Sequence, residues 1–209
     1  MILNRESAEL IGIIIGDGNI YRKYSKYRIG FTGNIINDRL YFEYIKRLIE
    51  SEWKKKARIF IGGRGLRIVI NSKDFCNMLV DDIGLPYGKG KGEKVKIPQK
   101  IFEDWNLAKH TLRGIVDTDG SVFVSKKPRI ERYPCIEITT TSFELAKQIK
   151  YLLEEKSFRV NKIRKSLSKL SKLDTYRIAL NGQTNLKLWI EEIGFSNPYK
   201  LGRAISYLK

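Results

Sequence analysis

Apolar positions along this chain follow two alternating periods. From residue 7 to 17 they recur as Leu10, Ile11, Ile14 and Ile15, one face of a helix that Ser7 is placed to cap. Gly18 ends that helix where a residue tolerant of positive φ is wanted. The period then drops to two. Ile20, Ile29, Phe31, Leu66, Ile68 and Ile70 alternate with polar residues, which predicts strands at 19–24, 27–34, 56–61 and 65–71. Helical spacing returns at 37–51 and 73–83. The series helix, strand, strand, helix, strand, strand, helix then begins again near residue 104.

That restart is an internal repeat. LIGIIIGDG at 10–18 aligns with LRGIVDTDG at 112–120, which sets Asp17 on Asp119, 102 residues apart. YRIGFTG at 27–33 answers CIEITTT at 135–141, LRIVINS at 66–72 answers YRIALNG at 176–182, and VDDIG at 80–84 answers IEEIG at 190–194. Order is kept and the offset only grows, as when one copy of a unit has gained a few loop residues. A single apolar run ending in Asp-Gly is ordinary turn chemistry; two aligned copies need a shared cause. The glycine-dense basic stretch at 87–98 is the expected connector, giving units at 1–98 and 99–209.

Charge indicates the partner. Across 209 residues, 40 Lys and Arg against 23 Asp and Glu leave a net charge of +17, divided almost evenly between the halves. A Lys-rich thermophile would balance its lysines with glutamate, and that balance is absent, so both halves are read as facing a nucleic acid. No segment reaches the roughly 18 apolar residues of a membrane span, and the N-terminal apolar run lacks a basic leader. A soluble, intracellular protein without a membrane partner is expected, cytoplasmic or organellar, and its Ile, Lys and Tyr content points to an archaeal thermophile. Cys76 and Cys135 have neither zinc nor disulfide spacing and are read as small hydrophobes.

Strand alternation assigns the faces. With Ile29, Phe31 and their partners turned toward the helices, the opposite face carries Tyr21, Lys23, Arg28, Thr32, Arg58, Arg67 and Asn71. Ser121, Ser125, Glu137, Thr139, Arg177 and Asn181 hold comparable places in the second half. Side chains of these types hydrogen-bond bases and phosphates, and a two-stranded ribbon fits the major groove of duplex DNA.

The motif helices end in acids, where the helix dipole makes a carboxylate least welcome. Gly12 and Gly16, and likewise Gly114 and Thr118, are small residues four apart that would let the two helices pack closely and bring Asp17 and Asp119 together. Two such carboxylates suit a hard divalent cation such as Mg²⁺ and, beside DNA, phosphodiester hydrolysis.

The doubled blocks resemble the LAGLIDADG motif of homing endonucleases, in the single-chain form that carries two motifs, over essentially the whole chain. The resemblance implies an α+β fold of two pseudo-symmetric αββαββα units, forming a saddle of antiparallel sheets over double-stranded DNA. It implies a monomer that cuts both strands of a long asymmetric site and leaves short 3′ overhangs, with Mg²⁺ as cofactor and Mn²⁺ as substitute. Carried over by position, Asp17 and Asp119 hold the metal, and Gly16 and Thr118 lend backbone carbonyls. Asp117, at the sixth motif position where the first copy has Ile15, is read as a supporting or capping carboxylate.

The resemblance also implies a polar residue closing each unit's second strand and a basic one after its last helix. Gly33 and Thr140 stand at or near the first position, leaving Asn34 as the nearest substitute. Lys200 takes the basic position in the second unit, while Lys89 and Lys91 compete for it in the first. Two other functions stay open: an RNA maturase acting on a host intron RNA, and a cleavage-silent DNA-binding regulator of the same fold. An intein is not expected, because Met1 is no splicing nucleophile and the chain ends SYLK. His110, the single histidine, excludes chemistries that need several.

Overall fold

The computed structural model describes residues 3–128, 130–167 and 173–208. Helix α1 (Arg5–Ile15) starts at a capping box: Asn4 Oδ1 accepts from the Ser7 N–H at 2.7 Å and Ser7 Oγ accepts from the Asn4 N–H at 2.9 Å. Asn4 is therefore the cap and Ser7, the expected cap, is its partner one turn on. Strands β1 (Asn19–Lys23) and β2 (Lys26–Gly33) form a hairpin, followed by α2 (Arg39–Glu52) and the hairpin of β3 (Arg58–Gly62) and β4 (Gly65–Asn71). Helix α3 (Lys73–Asn77), continued by a π-helical turn at Met78–Asp82, closes the unit.

The connector is not plain coil. It carries a single-turn helix, α4 (Lys91–Lys94), and a second, α5 (Gln99–Phe102), follows it before α6 (Trp105–Asp119) opens the second series. There follow β5 (Gly120–Lys127), β6 (Ile130–Thr140), α7 (Phe143–Glu154), β7 (Arg164–Leu167), β8 (Asp174–Asn181) and α8 (Gln183–Glu192). An unexpected helix, α9 (Pro198–Ser206), comes last, capped by Asn197 with Pro198 in its first turn.

Both sheets are antiparallel and share one strand order, β1-β2-β4-β3 and β5-β6-β8-β7. Their registers correct one part of the repeat. Ile20 pairs with Ile29 and Val122 with Ile136, while Ile29 faces Ile70 and Ile136 faces Leu180. The counterpart of 27–33 is thus 134–140, one residue earlier than local similarity suggested. A slip of one would turn Ile136 and Ile138 outward and Glu137 inward; both isoleucines are buried.

One continuous core joins the apolar faces of both sheets to the helices above them. Gly18 serves this packing rather than a positive φ, since a Cβ there would lie 2.7 Å from the Ile14 carbonyl oxygen. Among the described residues no helix is long and apolar enough to cross a membrane.

Candidate active site

Helices α1 and α6 pack against each other through their glycines. A Cβ on Gly12 would overlap the Thr111 carbonyl, one on Gly16 the Thr118 hydroxyl, and one on Gly114 would lie 2.7 Å from the Ile13 nitrogen. The Thr111 hydroxyl donates across the interface to the Ala8 carbonyl at 2.8 Å. With no side chains between the backbones, the helix ends converge and Asp17 and Asp119 meet.

The two carboxylates share a hydrogen bond, and both have raised pKa values. Burial is the largest cause for each; Asp119 is pushed up to about 7 because it also faces the charge of Asp17. Both residues nevertheless present surface to solvent, so the site is recessed and open rather than sealed. Two facing carboxylates whose affinity for protons is raised form a place where a cation can take a proton's part. Their oxygen donors, one from each unit, suit a hard divalent ion. Among the described residues no group of three or more His, Cys, Asp and Glu could hold a metal ion.

Two lysines offset the negative helix ends. Lys91 donates to the Gly18 carbonyl, and Lys200 donates to the carbonyls of Val116 at 2.7 Å and Thr118 at 2.9 Å. Burial lowers both ammonium pKa values, while the facing Asp17 and Asp119 raise them. Lys91 is thereby the first unit's lysine that reaches the helix end; Lys89, two residues earlier, is exposed. The Thr118 carbonyl, expected to face a metal, accepts from Lys200. Gly16 caps α1, its N–H bonded to the Gly12 carbonyl at 3.1 Å.

Asp117, 2% exposed, is a cap: its Oδ2 accepts from the N–H groups of Ser196 at 2.7 Å and Asn197 at 3.1 Å, just before α9. Burial raises its pKa. Sequence reasoning missed Asp38 and Tyr41. Asp38 accepts from the Asn34 N–H at 2.7 Å and from Asn197 Nδ2 at 3.2 Å, and its charge acts on Asp17 and Lys200. Tyr41, deep in the core, brings its hydroxyl to the same corner. Only the polar N-terminus of α2, preceded by Asn34 and Asp38, hinted at this.

Asn34, the nearest substitute for the polar residue expected at the end of β2, sits in the turn that follows. Its Oδ1 accepts from the N–H groups of Ile36 at 2.9 Å and Asn37 at 3.0 Å and is committed to the turn. At Gly33 a Cβ would overlap the Phe42 ring, so a side chain has no room. His110 is buried in α6 and stays neutral, its pKa lowered to about 4 by burial and then by Arg113, Lys109 and Arg5.

The polar sheet faces assemble in register. Tyr21 pairs with Arg28, Arg28 with Asn71, and Thr32 with Arg67, while Lys23 and Arg58 occupy the same face. In the second sheet Ser121 pairs with Glu137 and Thr139 with Arg177; Ser125 and Asn181 share that face. Glu137 and Arg177 form an ion pair at 3.3 Å. Cys135, read as a small hydrophobe, is buried on this face, its Sγ 3.4 Å from Ser125 Oγ.

The LAGLIDADG-like domain family matches residues 107–194. The replication factor C small subunit of Methanocaldococcus jannaschii is 30% identical over 206 residues, 99% of this chain but 10% of that protein. Its namesake in Thermococcus kodakarensis is 30% identical over 202 residues, 97% of this chain and 21% of that protein. The chain therefore spans a small fraction of these relatives. I-DmoI in complex with DNA and Mn superposes with a TM-score of 0.63 at 17% identity, covering 92% of this chain and 97% of that one. Full-length DUF199/WhiA from Thermatoga maritima superposes with a TM-score of 0.57 at 17% identity, covering 99% and 62%.

Proposed function

We propose that this protein, whose second unit belongs to the LAGLIDADG-like domain family and whose whole chain has the two-unit LAGLIDADG fold, is a site-specific DNA endonuclease that hydrolyses phosphodiesters with a divalent metal. The observation that carries this reading is the meeting of Asp17 and Asp119 at the ends of two interlocked helices, flanked by Lys91 and Lys200. A regulator that only binds DNA gains nothing from two repelling carboxylates there. Support also comes from the M. jannaschii and T. kodakarensis relatives: a segment of this fold forming a minor part of longer replication proteins suits a mobile module.

In this reading Asp17 and Asp119 hold Mg²⁺ or Mn²⁺. When bound, the ion supplies Lewis acidity to the phosphate and activates a water. The chain does the rest. Lys91 and Lys200 place positive charge where the pentavalent phosphate gathers negative charge, and their bonds to helix-end carbonyls fix them in position beforehand. The polar faces of both sheets bind duplex DNA through Tyr21, Lys23, Arg28, Arg58, Arg67, Ser121, Thr139 and Arg177, with Asn71 and Asn181 at their edges. A single chain with two unlike faces reads an asymmetric site.

The test is incubation of the purified protein with genomic and randomised duplex DNA, in Mg²⁺ and in EDTA, with break ends read by sequencing. Recurrent double-strand breaks at one site in Mg²⁺ alone are expected. Tight duplex binding without breaks in Mg²⁺ or Mn²⁺ would instead establish a regulator.

A further inference from the structure

Behind Asp17 lies a cavity of about 20 Å³, lined by Asp17, Thr32, Asp38, Tyr41, Asp117, Thr118 and apolar side chains of α1, β2 and α2. Two polar atoms of its walls, Tyr41 Oη and Asp117 Oδ1, are buried without a hydrogen-bond partner. Dry cavities are apolar, whereas one that holds water needs roughly 10–15 Å³ and two to four polar contacts. This one meets both conditions. The pseudo-equivalent positions show what a dry version looks like. The counterpart of Asp117 is Ile15, and aligning the N-caps of α2 and α7 sets Tyr41 on Leu145. Both counterparts are buried aliphatics.

We propose that this cavity binds one water molecule, which accepts from Tyr41 Oη, donates to Asp117 Oδ1 and bridges to the carboxylate of Asp17. The unpartnered wall atoms are a neutral hydroxyl and one carboxylate oxygen set among apolar side chains, and Lys200 already brings a cation to this corner, so a neutral occupant is favoured over a second cation. Through the water Tyr41 becomes a positioning residue for Asp17, on the first unit's side alone. This deepens the endonuclease reading and rests on it only for its catalytic consequence.

The test begins with high-resolution crystal structures of the full chain, native and soaked in thallium(I). One peak about 3 Å from both Tyr41 Oη and Asp117 Oδ1, without thallium anomalous signal, is expected. An empty cavity, or a thallium peak, overturns the proposal. Tyr41→Phe should lose the peak, slow single-turnover cleavage about tenfold and raise the Mg²⁺ needed for half-maximal rate, with DNA affinity unchanged. Tyr44→Phe removes a neighbouring hydroxyl outside the cavity and should keep the native rate. Equal rates in both variants would reduce the water to filler and overturn the positioning role. The native peak is read whether or not the protein cuts. An inactive protein that holds the water defeats the endonuclease reading alone, and an active one with an empty cavity defeats the water alone.

Discussion

The two flanks of the α1–α6 helix pair are copies in backbone and opposites in chemistry. On each flank the tail of one unit reaches across to the N-cap residue of the other unit's second helix. The first tail does so with backbone and neutral amides: Ser142 Oγ donates to the Val95 carbonyl at 2.6 Å, and Gln148 bonds both the N–H and the carbonyl of Ile97, at 2.7 and 3.1 Å. The second tail does so with acids. Asn197 bridges Asp38 and Asp117, and nearby Glu9, 2% exposed, pairs with Arg113 at 3.3 Å. The repeat thus gives both flanks the same fold, and among the described residues only one of them carries buried charge. A buried polar network is poor evidence of stability and better evidence of a demand on geometry, because apolar residues of similar volume would hold the helices as well.

The largest effect should come from the point where the flanks converge. Asp17→Asn and Asp119→Asn should each reduce cleavage by at least about 10³-fold, equivalent to roughly 4 kcal/mol of lost transition-state stabilisation. Affinity for duplex DNA in EDTA should persist in both. If either variant still cuts near the native rate, the acids are helix caps and the flanks differ for structural reasons alone.

Next in size is the seam itself. Gly12→Val drives a side chain into the Thr111 carbonyl on a backbone that has no slack, so destabilisation of about 3 kcal/mol is expected. For a chain of this size that lowers Tm by about 6–12 °C in calorimetry. A variant with native Tm would mean that the helices can separate, and that the meeting of Asp17 with Asp119 is not enforced.

How much of this was legible in sequence follows from what repeats. Asp17, Asp119 and the glycines stand in both copies at one offset, so position alone revealed them, and strand period placed Tyr21, Arg28, Arg67 and Arg177 on their faces. Properties that depend on reach were not legible. Lys89 and Lys91 differ only in which one the single turn of α4 points at Gly18. Asp38 and Asn197 touch across 159 residues and have no counterparts of like chemistry, so no pattern joins them. The strand β6 offset failed for a related reason: CIEITTT and YRIGFTG match by letter, but only ladder pairing fixes which residues face the core.

The tails distinguish the flanks more finely. Ser142→Ala removes the α7 cap and the donor to Val95, at a cost of about 1–2 kcal/mol, and should leave cleavage per folded molecule unchanged. Asn197→Ala removes the α9 cap and the bridge to Asp38 at a similar cost, but α9 carries Lys200. Cleavage should therefore fall as well, by about tenfold. Denaturant melts beside single-turnover rates separate the two. Equal rates in both variants would show that Lys200 keeps its place without the acidic flank.

The smallest effect is one of pH, and its sign is fixed by the raised carboxylates. In the folded protein Asp119 titrates near 7, above its unfolded value, and Asp17 is raised as well. The native state binds protons at these groups more tightly, so in EDTA they favour folding most at low pH, and that contribution is lost as pH rises toward 7. Because both acids touch solvent, the effect is discounted to about 1 kcal/mol, or 2–4 °C in Tm. Asp119→Asn removes the repulsion and should melt higher than the native chain at pH 8 in EDTA by about that amount, with the difference shrinking by pH 5. Mg²⁺ should raise the native Tm at pH 8 and do little at pH 5, where it competes with the proton. Ile15→Asp, which copies the acidic flank onto the apolar one, should steepen the pH dependence beyond the native slope. A native Tm that rises from pH 5 to 8 in EDTA would mean that lysine pairing outweighs carboxylate repulsion, and that the two flanks are electrostatically alike where they meet.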